Sequence, residues 1–167
     1  YIYMIIDKSK VVIYWWLFLS IISIINISFI TNYLVTNKLN SYQKNITILA
    51  LIFTFCCGLR SFYPKNDLTQ NCLSNSFLSK PIFGRTIATL AEMSLIYFFV
   101  LIFRQILNDF NFEKLVFFNN NLNYLIFIIA IAQIFCWIGC ITKNSLYHSI
   151  EESLWLVTFC ILLFCAI

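Results

Sequence analysis

Two groups of residues have the types and spacing to do chemistry. The first is Arg85, Thr89 and Glu92, within the apolar stretch FGRTIATLAEMSLIYFFV at residues 83–100. Steps of four and three put all three on one face of a helix. Arg85 and Glu92 lie about 10 Å apart along the axis at 1.5 Å per residue, too far for a direct ion pair. Arg85 sits about one turn inside a membrane span and can snorkel to the headgroups. Glu92 has a short stem and stands near the midpoint. An acidic residue at that depth costs about 2.5–3.5 kcal/mol on insertion scales, so it should face protein or water. Glu92 then reads either as a proton carrier, general acid/base or cation ligand, or as a packing hydrogen-bonder held by Thr89, Ser94, Gln133 or a partner subunit.

The second group is LYHSIEESLW, residues 146–155. His148 precedes Glu151 and Glu152 by three and four residues, so a helix would join them in a pair that tunes an acid/base imidazole. The same letters carry a plainer reading. Ser149-Ile150-Glu151-Glu152 matches the S-x-x-E capping box, and acidic residues suit a helix N-terminus. On that favoured reading Ser149 is the N-cap and His148 lies outside the helix. The candidate catalytic residues are therefore Glu92, His148 and Glu151. The candidate substrate-binding residues are Arg60, Arg85 and Asp67. Arg60 suits an anionic headgroup, although an interfacial anchor explains it as well.

Seven cysteines, at 56, 57, 72, 136, 140, 160 and 165, contain no C-x-x-C pair, and the lone His148 is not spaced to join one. Cys136 and Cys140 read as small buried hydrophobes. The expectation is no metal site, and no cofactor is legible. Motifs of known reactions are also missing: no H-x-x-x-H, G-x-S-x-G, D-x-x-D or phosphate-binding loop.

The elements that must position these residues are set by composition. Of 167 residues 61% are hydrophobic and only 11% charged, with a mean hydropathy of +0.85. Soluble domains carry about 25% charged residues, so the chain is expected to be an all-α, polytopic integral membrane protein. Five apolar segments predict spans at about 11–35, 46–62, 82–107, 122–142 and 150–167, in one helical domain with a polar loop at 60–81. A backbone in hydrocarbon must satisfy its own hydrogen bonds, so the spans are helices. Pro81 suits a first helical turn. Tyr14, Trp15, Trp16, Trp137 and Trp155 fall near predicted span ends, as an aromatic belt requires for some of them. The chain begins with Tyr1 and ends inside an apolar run, which leaves two readings open: a fragment of a longer chain, or a start at Met4.

Lys8, Lys10, Arg60, Lys65, Lys80, Arg85 and Lys143 fall on one predicted side, and Lys38, Lys44, Arg104 and Lys114 on the other. The positive-inside rule then favours a cytoplasmic N-terminus, in a bacterial or organellar inner membrane. Asp67, His148 and Glu151 share the more basic side, where a site would open between the second loop, the third helix and the start of the fifth. The net charge of +4 is scattered, with no basic cluster of the kind that tracks nucleic acid. The expected partners are the bilayer, a lipid or other hydrophobic ligand, and membrane proteins or further copies of the chain. Three function classes stand open: a membrane-embedded enzyme acting on a lipid or isoprenoid, a small transporter or channel subunit using Glu92, and a non-catalytic subunit or assembly factor.

Overall fold

The computed structural model describes residues 2–63, 78, 81–109 and 121–166. Among the described residues five long helices follow one another: α1 (Ile2–Thr36), α2 (Ser41–Phe62), α3 (Pro81–Asp109), α4 (Asn123–Thr142) and α5 (Ser145–Ala166). Among the described residues there is no strand. All five helices are long and apolar enough to cross a membrane, which is the all-α, polytopic class expected from composition. Large apolar side chains stay exposed on every helix, among them Phe29 and Val35 on α1, Phe55 on α2, Leu90 on α3, Phe127 on α4 and Leu163 on α5. Water-soluble monomers rarely expose contiguous apolar patches beyond a few hundred Å². Lipid accepts such faces without penalty.

Helix starts are where the structure departs from the expected spans. α2 begins at Ser41, five residues before the expected start. Asn40 Oδ1 accepts from the Gln43 N–H at 2.8 Å, and Gln43 Oε1 accepts from the Asn40 N–H at 3.2 Å. This reciprocal cap satisfies two otherwise orphaned donors. The longer α2, 22 residues or about 33 Å, is long enough to reach across a hydrocarbon core. α3 opens on Pro81 as expected.

The fifth helix corrects the capping-box reading. It begins at Ser145, where Asn144 Oδ1 accepts from the Leu146 N–H at 3.0 Å. Ser149 is therefore interior to the helix, and its Oγ bonds back to the Ser145 carbonyl at 3.3 Å. Back-bonding to the preceding turn is the usual use of a mid-helix serine. α4 ends at Lys143, whose φ of 55° and ψ of 31° are left-handed. Only Lys143 and Asn144 separate the two helices, so α5 folds straight back along α4.

The chain divides into two compact units, residues 1–91 and 92–167, with the boundary inside α3. In the first unit α1 packs against α2. Gly58 permits the approach: a Cβ there would lie 3.2 Å from Ile27 Cδ1 and 3.4 Å from Ser23 Cβ. Small residues at such contacts are what lets membrane helices associate by close packing. Trp16 Nε1–H donates to the Phe62 carbonyl at 3.3 Å, satisfying an acceptor at the end of α2. In the second unit Ile96, Val100 and Leu107 of α3 join Leu122, Leu125, Ile129 and Leu162 in one buried apolar cluster.

Candidate functional site

The second unit carries its polar residues on the seam between α4 and α5. Residues equidistant from the Lys143–Asn144 turn face each other in an antiparallel helical hairpin. Leu125 and Leu162 form one such pair and are both buried, as are Ile129 and Thr158. Closer to the turn come Ala132 with Trp155, Cys136 with Glu151, and Gly139 with His148. The last pair is in direct contact: a Cβ on Gly139 would lie 3.0 Å from His148 Nε2. The seam is thus apolar at depth and polar toward the turn.

Glu92 meets this seam from α3. Its Oε2 accepts from Gln133 Nε2 at 2.6 Å and from Trp155 Nε1 at 3.2 Å. Gln133 is one of the partners expected from sequence. Trp155 is a partner that reading did not include. It lies about 15 Å along α5 from Ser145, with its ring stacked on Phe159 at a centroid distance of 5.5 Å. One carboxylate oxygen therefore ties α3 to both other helices of the unit. The donors are neutral, and no Lys or Arg pairs with Glu92 among the described residues. Gln133 Oε1 is buried and lacks a hydrogen-bond partner among the described residues.

Nearer the turn, His148 and Glu151 come together as the helical spacing suggested. His148 Nδ1 lies 3.2 Å from Glu151 Oε2. The Glu151 side chain is 7% exposed and that of His148 40%. The third member is Cys136, fully buried, with its Sγ 3.7 Å from the same Nδ1. One ligand atom from each residue lies within 4.8 Å of the other two. Cys136 and Glu151 sit about 9 Å from the ends of their helices at the turn, and His148 about 4.5 Å.

Thiol, imidazole and carboxylate invite comparison with a nucleophile–base–orienter triad. The geometry is different. In a triad the carboxylate and the nucleophile address opposite ring nitrogens. Here both converge on Nδ1, and Nε2 faces Gly139.

Arg60, exposed near the end of α2, and Arg85, partly buried in the second turn of α3, belong to the first unit. Asp67 lies outside the described residues, as do Lys65 and Lys80. Glu152, the alternative partner for His148, is exposed. Cys136 is the residue that sequence reasoning missed. It is buried, as a small hydrophobe would be, but its neighbour is an imidazole. Its equal distance from the turn with Glu151 was the available signal, and it appears only once α5 is started at Ser145.

Five apolar helices and a polar seam define the class: an all-α chain of the polytopic membrane type. No protein-family model, no curated protein and no solved structure matches the chain.

Proposed function

We propose that the chain is an integral membrane protein whose second unit holds the active centre of a membrane-embedded enzyme, acting on a lipid or isoprenoid substrate at the interface. The observation that carries this reading is the His148–Glu151 pair at shallow depth. Its carboxylate is buried while its imidazole is 40% exposed, within two helical turns of the Lys143–Asn144 turn. That is the level at which an amphiphile presents its reactive headgroup. A buried carboxylate beside one ring nitrogen orients the imidazole, as a general base needs. The basic-residue count supports a cytoplasmic N-terminus and a cytoplasmic α4–α5 turn, in a bacterial or organellar inner membrane. Arg60 and Arg85 act as interfacial anchors.

The test is lipid analysis of cells carrying His148→Gln or Glu151→Gln at normal protein level. The reading expects a precursor lipid to accumulate in both, as in a deletion strain. A lipid profile identical to wild type in the deletion strain refutes it.

A second reading, a transporter or channel subunit using Glu92, is favoured by one feature. Glu92 lies about 16 Å along α3 from Pro81, near the depth where transport sites stand, and its partners are neutral donors. Ion or proton flux in vesicles that Glu92→Gln abolishes, with an unchanged lipid profile, identifies this class instead. If Glu92→Gln folds and leaves both lipids and flux intact, the carboxylate serves only to lock the helices.

A further inference from the structure

We infer that Cys136, His148 and Glu151 form a three-ligand site for a divalent transition metal, with zinc the best fit. Four observations carry it. The first is donor chemistry: thiolate, imidazole and carboxylate are the three ligand types zinc takes from proteins. The second is spacing. Tetrahedral zinc, with bonds of about 2.3 Å to sulfur and about 2.0–2.2 Å to nitrogen and oxygen, sets the ligand atoms roughly 3.5 Å apart. Sγ–Nδ1 is 3.7 Å and Nδ1–Oε2 is 3.2 Å, with all three atoms within 4.8 Å. The third is direction. Both partners converge on one nitrogen, which a proton relay does not need and a shared ion does.

The fourth is charge. A dication between one thiolate and one carboxylate is neutral overall, which matters where unpaired charge is costly. Two of the three ligands are buried and His148 is half-open. Three protein ligands leave a fourth position for water or substrate, the pattern of catalytic rather than structural zinc. Gly139 completes the seat, since a side chain there would meet the imidazole.

The inference goes beyond the enzymatic reading, because three ligands hold a metal whether or not a reaction follows. The test uses the full chain purified in detergent, stripped with chelator and titrated with Zn²⁺ and with Co²⁺ as a spectroscopic probe. One equivalent of either metal should bind, and the cobalt form should show thiolate-to-metal charge transfer. Cys136→Ser should abolish that band. His148→Ala and Glu151→Gln should each weaken zinc binding by at least about 10-fold. Cys140→Ser and Cys160→Ser should titrate as wild type. Failure of the wild-type protein to bind either metal overturns the inference, as does an undiminished cobalt band in Cys136→Ser. Metal binding together with an unaltered lipid profile in the deletion strain keeps the site and removes the enzymatic reading.

Discussion

Replacing Gly139 with alanine tests the seating of His148 more finely than removing any ligand. An added Cβ would lie 3.0 Å from Nε2 and 3.1 Å from Cδ2 and Cε1 of the imidazole. Ordinary contacts begin near 3.4 Å, so the ring must retreat by about 0.4 Å, more than the roughly 0.2 Å tolerance of a metal–ligand bond. The retreat is possible because the side chain is 40% exposed. The fold should therefore survive. Gly→Ala in a helix gains up to about 1 kcal/mol of propensity, against about 1–3 kcal/mol for overpacking. The net loss is roughly 0–2 kcal/mol. Zinc affinity should fall by about 10–100-fold, as when a positioning group is lost. Thermal unfolding followed by circular dichroism in detergent measures the first quantity, and competition against a chromophoric chelator the second. A Gly139→Ala protein that binds zinc as tightly as wild type refutes the proposed packing of the ring.

Further outcomes follow from the rest of the chain. Glu92→Leu leaves the Gln133 and Trp155 donors buried without an acceptor and should cost about 2–4 kcal/mol, while Glu92→Gln keeps an acceptor oxygen and should cost less than about 1.5 kcal/mol. Equal unfolding temperatures for the two variants contradict the tie between α3 and the α4–α5 seam. Lys143→Gly relieves a left-handed backbone and should raise stability by about 1 kcal/mol, read as a higher unfolding temperature. Gly58→Leu drives a branched side chain against Ile27 and Ser23 and should destabilise by about 1–3 kcal/mol in the same assay, where an unchanged melt contradicts the close α1–α2 contact.

The five long helices among the described residues were legible because apolar length alone decides them. Registers and starts were less so. A membrane helix has no strong polar face to fix its orientation, so nothing in the sequence of α4 marks Cys136 as facing α5. The S-x-x-E pattern at Ser149 was a true match to a motif whose role Asn144 had already filled one turn earlier. That single shift brought His148 into the helix and onto Glu151. Glu92 was legible as a residue needing partners, and Gln133 as one of them. Trp155 was not, since a tryptophan near a predicted end reads as an interfacial anchor until its indole N–H is seen donating to a buried carboxylate. Arg60 and Arg85 carry chemistry by type alone.

The convergence of Cys136 and Glu151 across the hairpin can be measured without assuming any function. In a background where Cys136 is the sole native cysteine, Glu151→Cys adds a second thiol at the site. Mercury(II) joins two thiols that lie within reach of each other. Mass spectrometry should find one mercury per chain and both thiols protected from maleimide. The control, Leu156→Cys on the exposed face of α5, should retain no bridging mercury and leave its introduced thiol open to alkylation. Independent alkylation of the two thiols in the Glu151→Cys protein, or equal protection in the control, would contradict the packing that brings thiol, imidazole and carboxylate together.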